Sequence, residues 1–224
     1  MYHVYWRYWG ILSRASGGPC RLDLRGTAQL EQTYRMSTPA LYSPLIVRAL
    51  ELAAIWHVGQ VRKNPTKQIP YIAHPAAVGF LLQKAGCDDE TIAAGILHDV
   101  VEDCGIPLEQ VATETTPRVA DLVRAVTEEP KEMDWEQRKA AYRDVLSRAP
   151  LEALAIAAAD HISNNWSIVE MAASHPDVWS IFYASKQQRV NHEAEVLAII
   201  EERLSGPLVE ALHESVGLIR NVPG

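Results

Sequence analysis

The sequence predicts an all-α, single-domain helical bundle. Apolar residues recur at helical spacing through most of the chain after residue 43, and no strand-length segment alternates apolar with polar residues. A length of 224 residues, 48 % of them hydrophobic, is enough for one sizeable core. Abundant alanine and leucine add helix preference, because neither loses much side-chain freedom in a helix.

The elements follow in order. From Pro44 to Arg62, residues Ile46, Leu50, Ala53, Ala54, Trp56 and Val61 recur at mostly helical spacing and predict the first helix. Pro65 and Pro70 make the stretch from Asn64 to Pro70 a loop. A second helix is expected over 75–85, and Asp88 or Asp89 can cap a third that runs through His98 to Asp103. Shorter helices fit 107–115 and 117–127, and 134–148 reads as an exposed, charged helix with Glu136, Arg138, Lys139, Arg143 and Asp144. A long alanine-rich helix starts at Leu151, carries Asp160 and ends before His175-Pro176. Another is expected from Asp177 to Leu204, and Pro207 opens a last one in its first turn, where its missing N–H is no loss. Residues 1–40 hold a Ser-Gly-Gly-Pro cluster and no sustained period, which predicts a poorly ordered extension before a domain over 41–224.

Composition narrows the function. A net charge of −7 argues against non-specific nucleic-acid binding, which rests on basic surface. It leaves room for a phosphate substrate, because a metal and a few local cations can reverse the sign inside a cleft. Cys20, Cys87 and Cys104 are scattered, with no Cys-x-x-Cys, which suits a reducing cytoplasm and gives neither a disulfide framework nor a thiolate zinc site. No apolar run reaches the ~18 residues that a membrane span needs. The aromatic N-terminus is broken by His3 and Arg7 and is not a signal peptide.

Four strings carry chemistry: Tyr71-Ile72-Ala73-His74-Pro75, Ile96-Leu97-His98-Asp99, Glu102-Asp103, and Asp160 with Asn164. Singly, each has an ordinary explanation, as a surface hydrogen bond, a solvated face or a loop residue. Together they place histidine and carboxylate donors, which suit zinc, manganese or iron, along one chain. The pairs 98/102 and 99/103 are i,i+4 neighbours on the expected helix. Four ionisable groups in an otherwise apolar helix are costly to bury without a metal or partners. The reading is an active site.

These strings, with Ala53 to Lys63 and Ala125-Val126-Thr127, resemble the HD-superfamily metal phosphohydrolases. Within them the chain is most similar to the (p)ppGpp hydrolase domain of RelA/SpoT homologues, especially small stand-alone alarmone hydrolases. The resemblance covers roughly residues 44–200. It implies an HD-type bundle with His74, His98, Asp99 and Asp160 as metal ligands and manganese as the ion; zinc or iron would also fit the donors. It implies catalysis by Glu102 and Asp103, which can orient a water or move its proton, with the choice of base open. Arg62 is implied near the base, Lys63 near phosphate and Asn164 near the sugar, although Arg62 and Lys63 also fit as C-terminal cations of the first helix. His57 and Gln60 read as structural residues hydrogen-bonded near the site, and Tyr71 as a packing residue.

Two positions depart from the family. It has a lysine where this chain has Ala157 and an arginine where it has Trp166, which reads here as core packing. The implied reaction is metal-dependent removal of the 3′-pyrophosphate from (p)ppGpp in the cytoplasm, with no nucleic-acid or membrane partner. Hydrolysis of another nucleotide, or a non-catalytic nucleotide-binding role, are the competing expectations.

Overall fold

The computed structural model describes residues 42–128 and 134–224. The extension expected over 1–40 lies outside the described residues. The first helix, α1, spans Pro44–Trp56, with Ser43 Oγ capping the Ile46 N–H and Pro44 in the first turn. It ends six residues before Arg62, because Gly59 (φ 80°) takes a left-handed conformation that turns the chain. The chain then doubles back through one antiparallel bridge, Val61 with Pro70, closed by Arg62 N–H to Ile69 O and Tyr71 N–H to Gln60 O. Arg62 and Lys63 are therefore loop residues, not the C-terminal cations of a helix.

Helix α2 spans Ala73–Lys84 and α3 spans Asp89–Leu97, capped by Asp88. The third helix does not continue to Asp103 as the spacing suggested. It breaks at His98-Asp99, and α4 restarts over Val100–Cys104. His98 Nδ1 bonds the Gly95 carbonyl at 2.8 Å, so a side chain takes up a backbone acceptor at the break. Helices α5 (Leu108–Glu114), α6 (Pro117–Val126) and α7 (Trp135–Arg148) follow, then the long α8 (Leu151–Ala172). The helix expected from Asp177 is a short 3₁₀ turn, Val178–Ile181, and then α9, Lys186–Glu201. Ser185 and Gln188 make a reciprocal capping box that starts α9, a signal already present in the sequence. The last helix, α10, spans Pro207–Asn221. Among the described residues no strand forms beyond the isolated bridge, so the all-α expectation holds.

The core is built around α3 and α8. Every residue from Thr91 to Leu97 is buried, as are Ala153 to Ala159. Helix α3 packs on α1, α2, α6 and α8, and α8 also meets α2 and α10. Alanines let these helices come close. Two glycines do the same between α2 and α3. A Cβ on Gly79 would stand 2.7 Å from Ile96 Cγ1, and one on Gly95 would stand 2.2 Å from Leu82 Cδ1. That close packing brings the start of α2, with His74, against the end of α3, with His98. Substituting Gly95→Val forces the buried Leu82 aside and should cost about 1–3 kcal/mol, the usual scale of overpacking. Thermal unfolding beside wild type checks it, and an unchanged Tm would show that the contact is not tight.

Candidate active site

His74 at the start of α2, His98-Asp99 at the break after α3, and Asp160 midway along α8 converge. His74 Nε2 lies 3.3 Å from His98 Nε2, 3.0 Å from Asp160 Oδ1 and 3.6 Å from Asp99 Oδ2. His98 Nε2 lies 3.1 Å from Asp99 Oδ2 and 3.4 Å from Asp160 Oδ1. The outer ring nitrogens are held by the fold, and at His98 the partner, a carbonyl, fixes the ring proton on Nδ1 and leaves Nε2 its lone pair in the neutral ring. His98 Nδ1–H donates to the Gly95 carbonyl at 2.8 Å, and His74 Nδ1 meets Ser163 Oγ at 2.9 Å. Two imidazole nitrogens and two carboxylate oxygens thus face one another, an arrangement that calls for a cation. Donors ~2.1 Å from one ion stand about 3.0 Å apart at right angles and about 3.4 Å apart at tetrahedral angles, so these spacings fit a divalent metal.

The titration behaviour says the same. Burial opposes charge on His98, yet the neighbouring Asp99 and Asp160 carboxylates raise its pKa well above the ordinary value. Burial likewise opposes ionisation of the carboxyls, but His98 holds Asp99 down at about 2, and His74 with His98 holds Asp160 well below the usual range. His74 moves the other way, lowered by burial despite Asp160. The two carboxylates therefore favour positive charge at His98.

The remaining expected residues gather beside these donors. Glu102 and Asp103, on α4, line a polar cleft of about 410 Å³ together with Asp99, Asp160, Arg62, Lys63 and Asn164. Gln60 Nε2 donates to Asp103 Oδ2 at 2.8 Å, and His57 Nδ1 meets Gln60 Oε1 at 2.7 Å, so both act as the structural supports the sequence suggested. Glu102 lies 3.7 Å from Arg138. Asn164 donates to Asp160 Oδ1 at 2.7 Å and accepts from Arg62 at 3.0 Å, and Arg62 also donates to Ser167 Oγ at 3.0 Å.

Sequence reasoning missed several neighbours. Tyr71 packs, as expected, but its hydroxyl also donates to Asp99 Oδ2, and burial followed by that carboxylate pushes its pKa far up, so it remains a donor. Arg138 and Lys139 are not on an exposed face: their side chains are 18 % and 16 % exposed, both pair with Glu128, and both line the cleft. The signal was present, since Trp135, Arg138, Lys139 and Tyr142 share one face of α7 and Tyr142 is buried. Arg189, His161, His192 and Glu193 line the same cleft. Ala157 is 1 % exposed and faces the core. Trp166 is not a core residue: it is 41 % exposed and lines a second, apolar cavity of about 520 Å³ with Phe80, Ala73 and Ala77.

Residues 49–188 match the model of the HD domain family. The chain belongs to that family. An HD relative from Drosophila melanogaster, named guanosine-3′,5′-bis(diphosphate) 3′-pyrophosphohydrolase MESH1, is 31 % identical over 140 residues, covering 62 % of this chain and 75 % of its own. A Synechocystis protein named as a probable enzyme of the same activity is 48 % identical over 83 residues, 37 % of this chain but only 10 % of its own length. The chain thus spans a small part of that curated relative. Among solved structures, a metazoan orthologue of SpoT, described as hydrolysing ppGpp with a role in starvation responses, superposes with a TM-score of 0.70 at 26 % identity, covering 82 % of this chain and 99 % of its own. A Listeria monocytogenes protein gives 0.60 at 31 % identity, covering 68 % and 99 %. Among the described residues no helix is long and apolar enough to cross a membrane.

Two outcomes follow for this HD site. Ser163→Ala removes the partner that orients His74 and should weaken metal binding about tenfold or more, read by competition with a fluorescent chelator. Because the His98 pKa is raised, its proton competes with the ion, so apparent metal affinity should rise with pH, by up to about tenfold per unit below that raised pKa. A pH-independent affinity across the neutral range would contradict this assignment.

Proposed function

We propose that this HD protein is a metal-dependent hydrolase that removes the 3′-pyrophosphate from guanosine 3′,5′-bis(diphosphate), and from its pentaphosphate analogue, leaving GDP or GTP. The observation that carries the reading is the convergence of His74, His98, Asp99 and Asp160 beside a polar cleft that also holds Glu102 and Asp103. The activities named for the Drosophila relative and the metazoan structural neighbour support the substrate.

His74, His98, Asp99 and Asp160 would hold the ion, with manganese favoured by the resemblance. When bound, it supplies Lewis acidity and lowers the pKa of water. The chain's own groups do the rest. Glu102, 3.7 Å from Arg138, and Asp103, held by Gln60, are the carboxylates placed to take the proton of the attacking water. The water oxygen attacks the 3′-linked phosphorus, the bond from phosphorus to O3′ breaks, and O3′ takes up a proton as pyrophosphate leaves. Arg62, held by Asn164 and Ser167, presents a fixed guanidinium plane to the base, and Lys63 presents an ammonium to phosphate. Arg138, Lys139 and Arg189 line the same cleft and offer positive charge that Ala157 and Trp166 do not. The free thiols Cys87 and Cys104 support a reducing, cytoplasmic setting.

One observation favours a second reading. Trp166 exposes its ring in an apolar cavity that shares Arg62, Lys63 and Ser167 with the cleft, which suits a different nucleotide or a dinucleotide on the same machinery.

Manganese-loaded protein should release pyrophosphate from ppGpp, and a nucleotide panel assayed side by side should rank ppGpp first. Inactivity across divalent metals, or a clearly better substrate, would overturn the reading. Glu102→Gln should keep its metal and lose about two or more orders of magnitude in turnover. His98→Ala and Asp160→Ala should lose metal and activity together. Metal content and rate measured on the same samples separate these roles.

A further inference from the structure

The wall of the polar cleft carries three ionisable groups, His161 on α8 and His192 and Glu193 on α9, to which the reaction above gives no role. His161, His192 and Glu193 each bring one donor atom within 4.8 Å of the others, a spacing that a second cation could bridge. Hydrogen bonding decides against that. Arg143 NH1 lies 3.0 Å from His192 Nδ1, and a guanidinium only donates, so Nδ1 accepts and the ring proton sits on Nε2. Burial, then the charges of His161, Lys139, Arg143 and Arg189, keep the ring neutral by holding its pKa far below the ordinary histidine value. In this tautomer Nε2 has no lone pair for a metal. It has an N–H to give.

That N–H is conspicuous in the hydrogen-bond accounting. His192 is 4 % exposed, and its Nε2 is buried with no hydrogen-bond partner among the described residues. The residue lines the cleft, whereas Arg143, on the opposite side of the ring, does not. One turn earlier on α9, Arg189 has a second buried donor, its Nε, that meets no hydrogen-bond partner among the described residues, with the guanidinium stacked over Phe182 at 4.2 Å. The nearby carboxylate of Glu193 is already engaged, its Oε2 meeting His161 Nδ1 at 2.8 Å and Asn165 Nδ2 at 3.1 Å. Buried N–H groups left unmet are destabilising, so the pair is arranged for an acceptor that arrives.

We infer that His192 Nε2–H and Arg189 Nε–H form an oxyanion subsite in the cleft wall that takes a phosphate oxygen of the bound nucleotide. Arg143 is its positioning residue, because it fixes the tautomer that makes His192 a donor. The inference rests on the proposed reading of the cleft as a nucleotide phosphohydrolase site.

The test compares His192→Phe, which keeps a ring and loses the donor, with His192→Gln, which restores an N–H. Manganese-loaded wild type and variants are titrated calorimetrically with inorganic pyrophosphate and with GDP, and KM is measured on ppGpp. Circular dichroism and a thermal melt check folding. Losing one hydrogen bond to a charged acceptor should weaken at least one of the two ligands about tenfold or more in His192→Phe, with His192→Gln within about threefold of wild type. Arg143→Met should weaken the same ligand, by less, because the tautomer is released rather than removed. If ppGpp is not hydrolysed but the tenfold loss still appears with pyrophosphate or GDP, the subsite stands and the substrate assignment falls. If ppGpp is hydrolysed and folded His192→Phe binds both ligands and ppGpp as wild type does, the subsite is wrong. The His192 N–H is then met only by water or by the ring of Trp135, whose centroid lies 5.8 Å away, edge to face.

Discussion

Two imidazole nitrogens and two carboxylate oxygens, separated by 3.0 to 3.6 Å where His74 and His98 meet Asp99 and Asp160, cannot stay together unless positive charge sits among them. The fold is arranged around that demand. Gly79 and Gly95 let α2 and α3 approach closely enough for their histidines to meet. The break at His98-Asp99 turns adjacent residues toward one point, which an unbroken helix would spread about 100° apart. The alanines before Asp160 let α8 run through the middle of the core and deliver a carboxylate to the same place.

Residues suited to contact substrate are tied to the four candidate metal donors rather than standing beside them. Arg62 reaches Asp160 through Asn164, and Tyr71 bonds the oxygen of Asp99 that faces both histidines. The bridge between Val61 and Pro70 holds both ends of the loop carrying Arg62 and Lys63. Such shared hydrogen bonds restrict where a ligand and an ion can sit relative to one another. They place the support for catalysis in contacts formed before substrate arrives.

The helical periods and the donor strings were legible because each reports locally: apolar spacing marks a buried face, and a histidine beside an aspartate marks a candidate ligand. What stayed hidden depended on tertiary approach. Nothing local said that α3 would break inside its strongest motif, since Val100 and Val101 continue the apolar pattern. The charged run of α7 looked solvated, and only its packing shows that Arg138 and Lys139 face Glu128 and the cleft. Trp166 looked like a core residue by type, whereas its neighbours leave its ring exposed at an apolar cavity. Two signals were readable and passed over: the Ser185–Gln188 capping box, and the face shared by Trp135, Lys139 and Tyr142.

We propose that the four converging donors hold one divalent ion. Protein purified without chelators, crystallised with manganese and measured on both sides of its absorption edge would test it directly by anomalous scattering. One strong peak is expected at bonding distance from His74 Nε2, His98 Nε2, Asp99 Oδ2 and Asp160 Oδ1. A well-ordered cluster without such a peak, or the main peak at His161, His192 and Glu193 instead, would contradict it.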